Sequence, residues 1–224
     1  MSSDEIIEIE SIPLLLNKSL RAKRVFLKQN TKGEIILTYP KFYPKCLAIR
    51  FAKSQIPWIV AHLKHGQKET VFSKNDTIQI LGNIYLLNSG KRTQATKTEL
   101  IISGEPEFFH RRVCSYAQKK LLPYVQEKVT LYTTQLGVKH GKITLRNTSS
   151  RWGSCSSTRN LSFCWKIAFA PLDVIDYLVA HEVAHLLQMN HSPKFWATVD
   201  KLVAHRLQAE KWLRENGRKL QSIR

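Results

Sequence analysis

The sequence has few acidic residues, few cysteines and no long apolar run. No stretch approaches the roughly 18 consecutive apolar residues of a membrane-spanning helix, which argues against a membrane partner. The first residues, MSSDEIIEIES, carry acids where a secretory signal has its positive region, so we expect a cytoplasmic protein. The four cysteines form no CxxC pair, as is typical of reduced thiols in a reducing compartment.

The shortage of acidic residues leaves a large positive charge. Thirty-five Lys and Arg residues stand against 17 Asp and Glu, a formal net charge of +18. Such a charge favours binding to polyanions, so nucleic acid, or a protein bound to nucleic acid, is a candidate partner. A solvated basic surface explains the charge equally well, because no RNA-binding signature or aromatic-rich basic motif accompanies it.

The first half of the chain is predicted to contain short strands. RVFLKQ and EIILTYP flank the turn NTKG, and IQIL and IYLL flank the hairpin signal Gly82-Asn83. Between them, KSQIPWIVAHLKHG is predicted to be a helix capped by Ser54 and ended by Gly66, with His62 and His65 as surface residues. Residues 1–105 are therefore predicted to form a basic, β-rich N-terminal region.

The second half combines long helices with a pair of strands. A helical pattern over residues 106–136 ends at Gly137, with a kink expected at Pro123. KITLRNTSS and LSFCWKIAFAP read as strands around RWGSCSSTRN, and helices are predicted after Pro171 and after Ser192-Pro193. The fold class is therefore α+β, with residues 106–224 as a second domain that can form one compact unit with the first.

The stretch HEVAHLLQMNH, residues 181–191, holds three of the eight histidines. Residues four apart on a helix share a face, so His181 and His185 can each present a nitrogen to one ion at about 2.0–2.1 Å. Glu182 lies about 100° further round the helix, where a general base can reach a water on that ion. Two core histidines satisfied by backbone groups are the alternative, but burying so many ionisable groups without a metal is costly. The pattern predicts one zinc ion per chain.

A catalytic zinc ion needs a third protein ligand and an open position for water. His191 is predicted to be that ligand, because Asn190 can end the helix and Ser192-Pro193 can start the next one. Two other residues remain candidates: Glu210, on the inward face of that next helix, and His205, which is expected to face solvent.

The predicted reaction is amide hydrolysis by an activated water, with Glu182 accepting a proton and delivering it to the leaving amine. Tyr177, one turn before His181, is a candidate donor to an oxyanion, although such a tyrosine more often packs. Two other functions stay open. One is a nucleic-acid-associated protein with structural zinc, which is disfavoured because structural sites usually have four protein ligands. The other is a zinc hydrolase of a small amide or ester, which a closed pocket would favour.

Three segments, RWGSCSS, LSFCWKIAFAP and VIDYLVAHEVAHLLQMNHSPKFW, resemble the YgjP-like zinc metallopeptidases, which are related to the SprT-like zinc proteases. The resemblance is close from residue 140 to residue 205 and covers the first half in outline. It implies a zincin-like catalytic domain whose HExxH helix supplies the zinc ligands His181 and His185, with His191 as the third ligand and Glu182 as the catalytic base.

The resemblance also concerns the substrate. It implies that the strand pair containing Arg151 and Trp152 lies against the active-site cleft, where an extended polypeptide can pair with a strand edge. A structural hairpin bent at Gly153 is the alternative. SprT-like relatives include proteases that act on DNA-bound proteins, a setting that the charge would fit, although this is an analogy of fold alone.

Overall fold

The structure, a computed structural model, describes residues 5–30, 33–64, 69–149 and 151–224. The chain divides into two compact units, Met1–Lys68 and Glu69–Arg224. Residues 69–105 therefore belong to the compact unit that also contains HEVAH. The predicted domain boundary after residue 105 stays a prediction.

The first unit is a four-stranded sheet with two helices. Its elements are β1 (Glu5–Ile9), β2 (Ile12–Ser19), β3 (Phe26–Gln29), β4 (Ile35–Pro40), α1 (Lys45–Ser54) and α2 (Ile56–Lys64). The strands lie in the order β1-β2-β4-β3, with β2 and β4 parallel and the other pairs antiparallel. Alternate apolar side chains of β2 and β4 are buried with Ala48 and Ala52 of α1.

Two predictions for this unit have different outcomes. The strands predicted at RVFLKQ and EIILTYP are observed as β3 and β4. The predicted Ser54 cap is wrong, because Ser54 is the last residue of α1 and its hydroxyl donates to Phe51 O instead. His65, Gly66 and the side chain of His62 lie outside what the structure describes.

The second unit contains two sheets and four α-helices among its described residues. Its elements are β5 (Thr77–Ile80), β6 (Asn83–Gly90), β7 (Gln94–Ala95), β8 (Glu99–Ser103), α3 (Phe109–Leu136), β9 (Ile143–Arg146), β10 (Gly153–Cys155), β11 (Leu161–Cys164), α4 (Leu172–Ala184), α5 (Pro193–Leu202) and α6 (Arg206–Gln221). One sheet has the order β5-β6-β8-β7 and the other the order β10-β11-β9.

The long helix α3 lies in the core of this unit. Val113, Ala117, Leu121 and Val125 repeat at intervals of four on one face, and all are fully buried. The helix continues through Pro123 and ends, as predicted, at Gly137, whose φ of 66° is a left-handed conformation that glycine adopts without a Cβ clash. This apolar face of α3 therefore packs in the core of the unit that contains HEVAH.

The helix that carries HEVAH ends earlier than predicted. Helix α4 ends at Ala184 with His185 as its C-cap, whereas the pattern predicted an end at Asn190. Beyond it Leu186 still packs against the core, but Leu187 and Met189 are 47% and 63% exposed, so little apolar burial supports a longer helix. HEVAH therefore occupies the C-terminal end of α4 and not its middle.

The segment after His191 begins a new helix as predicted. Ser192 is the N-cap of α5, its hydroxyl accepts from Phe195 N at 3.4 Å, and Pro193 is the first helical residue. The prediction of one continuous helix to Glu210 is wrong, because α5 ends at Leu202 and Glu210 lies on α6. Of the helices in the described ranges, none is both long enough and apolar enough to cross a membrane.

Candidate metal centre

Three histidines converge at the end of α4. His181 lies in its last turn, His185 is its C-cap, and His191 lies just before α5. Each offers one possible ligand atom, and these three atoms all lie within 4.8 Å of one another. The ring centroids are 5.0, 5.0 and 4.9 Å apart, so the rings surround one point.

Hydrogen bonds define which ring nitrogens carry protons. His185 Nδ1 is 3.0 Å from Gln188 O, and because a carbonyl only accepts, this nitrogen must be the donor. The Tyr177 hydroxyl donates to Glu210 Oε1 at 3.2 Å, so it accepts from His181 Nδ1 at 3.4 Å. In both histidines Nε2 is therefore left with the lone pair that a metal ion requires.

The surroundings keep these imidazoles neutral. Burial, together with the charges of His185 and His191 beside it, lowers the pKa of His181 to about 4. Burial also lowers the pKa of His185. Neutral imidazole is the form that binds a metal, so near neutral pH no proton has to be displaced from either ring.

The three histidines fit a zinc ion by both chemistry and spacing. Imidazole nitrogens bind zinc at about 2.0–2.1 Å, which places the ligand atoms of a tetrahedral site about 3.4 Å apart. His181 Nε2 and His191 Nε2 are 3.1 Å apart, so small movements of the side chains would accommodate an ion. Phe195 packs 4.9, 4.6 and 4.7 Å from the three rings and restricts their orientations.

Glu182 lies beside this cluster and is buried. Its side chain is held against β10, where a Cβ on Gly153 would lie 2.6 Å from Glu182 Cγ and 2.7 Å from Cδ. Glycine at this position therefore allows the strand to approach the carboxyl group. Burial raises the pKa of Glu182 to about 8, and the positive charge of Arg151 opposes this effect.

Behind His181 lies a network of charged residues. Arg206 donates to Glu210 Oε1 at 3.2 Å and to Asp200 Oδ1 at 2.6 Å. Its guanidinium also lies 4.9 Å from the Trp196 ring. Among these residues, the i, i+4 spacing of Arg206 and Glu210 was the signal available in the sequence.

The other candidate residues lie outside the three-histidine cluster. Glu210 is linked to His181 through Tyr177, and His205 is exposed as the N-cap of α6. Arg151 is exposed just before β10. Trp152 packs beside Gly217 of α6, where a Cβ would meet its ring at 3.4 Å.

The sequence was compared with known protein families and structures, and one family model matches it. The chain matches the family model described as YgjP-like, metallopeptidase domain, over residues 23–216. A structural match was found to the crystal structure of the metallopeptidase zymogen of Pyrococcus abyssi abylysin, with 22% sequence identity and a TM-score of 0.38. The match covers 43% of this chain and 95% of that one. A likeness with so low a TM-score supports no conclusion about this chain. No curated protein matches the sequence.

Proposed function

The chain belongs to the YgjP-like metallopeptidase family, and on this premise we propose that it is a zinc-dependent endopeptidase with Glu182 as its general base. Membership makes it a peptide hydrolase that uses a metal ion and acts on polypeptides. The finer proposal rests on one observation. Ligand atoms of His181, His185 and His191 lie within 4.8 Å of one another, beside the buried carboxyl group of Glu182. We infer a zincin-like centre with one zinc ion per chain.

When bound, zinc supplies a Lewis acid that polarises a peptide carbonyl and makes a water easier to deprotonate. His181, His185 and His191 would hold it. Glu182 accepts the proton of the attacking water and later delivers it to the amine nitrogen that leaves. Without a metal, burial raises the pKa of Glu182 to about 8, so this carboxyl group is mostly protonated at neutral pH, and the positive charge of a bound zinc ion would favour the carboxylate form that accepts the proton.

Tyr177 has a different role in this proposal from donation to an oxyanion. Its hydroxyl proton is directed at Glu210, and its oxygen accepts from His181 Nδ1. We therefore assign Tyr177 and Glu210 to positioning: they fix the ring of His181 and keep its proton on Nδ1. Arg206 in turn fixes Glu210.

Removing the tyrosine hydroxyl tests this positioning role. We expect Tyr177→Phe to weaken zinc binding by about 10–100-fold, as is usual when a ligating histidine loses its outer hydrogen bond. Competition with a chromophoric zinc chelator measures the affinity. Tyr124→Phe is the matched control, since the Tyr124 hydroxyl also donates to a carboxylate, that of Asp176 at 2.6 Å, outside the centre. Equal losses in the two variants would show that the effect is only structural.

The sheet beside Glu182 supports a polypeptide substrate. Strand β10 is the outer strand of its sheet, and its Gly153 lies against Glu182. An extended chain that paired with β10 would therefore pass beside the general base. We propose that Arg151 contacts this substrate, while Trp152 holds the strand against α6. A strand edge of this kind favours a peptide over a small amide or ester.

Gly153→Ala tests the contact between β10 and Glu182. The new methyl group would overlap Cγ and Cδ of Glu182, so this buried side chain has to move away from β10. We expect cleavage to fall by roughly 10-fold or more, because misplacing a reacting group by about 1 Å costs up to 10²-fold. Zinc affinity should change little, and a melting curve establishes that the variant is folded. Gly217→Ala is the control, since a Cβ there makes an ordinary 3.4 Å contact within a helix. An unchanged cleavage rate in Gly153→Ala would contradict the role of this contact.

The proposed function itself is tested with a denatured protein such as casein. The zinc-loaded chain should cleave it at internal peptide bonds, lose activity when a chelator removes the metal, and regain activity when zinc is returned. Mass spectrometry of the fragments identifies the cleaved bonds. Trimming from one terminus only would refute the endopeptidase assignment, and cleavage that survives complete metal removal would refute the mechanism.

A further inference from the structure

The first unit has a hollow that is lined by cations. It measures about 460 Å³, and its walls are the end of β2, the loop that follows β2, and the strands β3 and β4. Four of the residues that line it are Lys or Arg, and none is Asp or Glu. We call it the basic hollow and define it by six of those residues: Asn17, Arg21, Lys23, Arg24, Phe26 and Lys28.

Strand register explains one wall of the hollow. Asn17 lies opposite Thr38, and Thr38 lies opposite Phe26, so one row of side chains crosses β2, β4 and β3. The Asn17 amide donates to Thr38 Oγ1 at 3.3 Å, which shows that the two side chains share a face of the sheet. Lys28 lies two residues after Phe26, on the same face, because side chains alternate along a strand. The outer strand β3 therefore presents a ring and a cation side by side.

The loop after β2 supplies the other three cations. Ser19 Oγ accepts from the backbone N–H groups of Arg21 and Ala22, both at 3.2 Å, and these bonds turn the chain at the end of the strand. Lys23 and Arg24 follow directly before the chain enters β3. The turn and the outer strand together place four cations around one hollow.

These cations are available to a ligand. All four are exposed, and none of them forms an ion pair in the described part of the chain. The described acidic residues of this unit lie elsewhere. Glu10 precedes β2 and Glu34 precedes β4, at the opposite end of both strands, and Glu5 and Glu8 lie on β1, the strand farthest from β3. The positive charge of the hollow is therefore a local feature and not only a result of the net charge.

Exposed aromatic rings accompany the cations. Phe26 lines the hollow and is 36% exposed. Lys41 N donates to Ser19 O at 3.0 Å, so the segment after β4 begins beside the turn. The next residue, Phe42, is 91% exposed, and Lys41 Nζ lies 5.7 Å from its ring centroid. The fold thus brings rings from two separate segments to one basic loop.

We propose that the basic hollow binds single-stranded nucleic acid. Its four cations contact phosphate groups, and the ring of Phe26 stacks on a base. An acidic polypeptide matches the charge but has no base to place on the ring. A membrane surface is flat and does not enter a hollow in a sheet. This inference concerns the first unit and does not rest on the proposed peptidase function.

Binding of a fluorescent oligothymidylate of roughly 12 nucleotides tests the proposal. The strand is titrated into the full chain at several salt concentrations, and fluorescence anisotropy reports the affinity. The matched probe is an abasic strand of equal length, which has the same phosphates and no bases. We expect the abasic strand to bind roughly fivefold or more weakly, because it loses the stacking contact.

Neutralising two cations tests the phosphate contacts. Lys23→Gln/Arg24→Gln should weaken binding and reduce the slope of log affinity against log salt by about 1.4, since each contact with a single strand contributes about 0.7. Lys91→Gln/Arg92→Gln removes the same charge from an exposed loop of the second unit and should leave the slope unchanged.

Replacing Phe26 tests the stacking contact. Phe26→Leu removes the ring and keeps an apolar side chain on the sheet. It should weaken the binding of oligothymidylate by roughly fivefold or more and leave the affinity for the abasic strand unchanged. Phe26→Tyr keeps a ring and should bind as the parent does. Melting curves establish that each variant is folded.

Three outcomes would overturn the inference: equal binding of the normal and abasic strands, equal salt slopes in the hollow and loop variants, or normal binding by Phe26→Leu. It would also be overturned if a Glu-rich peptide, or vesicles of phosphatidylcholine and phosphatidylserine, bound more tightly than oligothymidylate and lost affinity in Lys23→Gln/Arg24→Gln. The hollow would then be a site for an acidic protein or a membrane. Zinc content and casein cleavage report on the peptidase proposal independently of these results.

Discussion

Replacing Glu182 with Gln is expected to lower the rate of peptide cleavage by roughly 10²–10⁴-fold, the usual contribution of a positioned general base. Glutamine has nearly the same shape as glutamate, so it can occupy the buried space against Gly153 without a new overlap. It cannot accept a proton from water at neutral pH. Because Glu182 is not one of the three clustered ligands, the variant should bind zinc as the parent does.

Two measurements on the same sample make this expectation specific. Zinc content by elemental analysis should be one ion per chain in both parent and variant, while casein cleavage should differ. Glu215→Gln is the control, since it makes the same chemical change at an exposed position of α6. Normal cleavage by Glu182→Gln would refute the general-base role, and loss of zinc in that variant would mean that Glu182 acts as a ligand.

His191→Ala is expected to weaken zinc binding by more than about 100-fold, beyond the 10–100-fold that loss of an outer hydrogen bond produces. The variant removes one of the three nitrogens and leaves only His181 and His185 of the cluster to hold the ion. Cleavage should disappear at zinc concentrations that saturate the parent. Chelator competition, run as for Tyr177→Phe, gives the affinity of each protein.

His205→Ala is the control for His191→Ala. His205 is the other histidine that the sequence offers as a candidate third ligand, and it is exposed at the start of α6, outside the cluster. Its removal should leave zinc affinity unchanged. If His191→Ala bound zinc as tightly as the parent, the ligand set would be wrong, and Glu210, the remaining candidate, would have to be tested by substitution.

The local part of the site could be predicted from the sequence. The spacing of His181 and His185 determines that they share a face of one helix turn, and Ser192-Pro193 specifies where the next helix begins. These features depend on residues close together in the chain, where capping and periodicity decide the conformation. The convergence of His191 with the other two follows from that short connection.

The supporting part of the site could not be predicted in the same way. The contact of Tyr177 with Glu210 joins residues 33 positions apart and exists because α4 packs near α6. The approach of Gly153 to Glu182 depends on the pairing of β10 with β11. The early end of α4 also depends on packing, since it occurs where the apolar face of the helix is no longer buried. Periodicity within one segment carries no information on such contacts.

The proposed function requires that His181, His185 and His191 together bind one zinc ion. Anomalous diffraction from crystals of the zinc-loaded protein, recorded on both sides of the zinc absorption edge, locates that ion. We expect a single peak at about 2.0–2.1 Å from one nitrogen of each of the three histidines. A peak that omits His191, that includes Glu210 or Glu182, or that lies away from the end of α4 would contradict it.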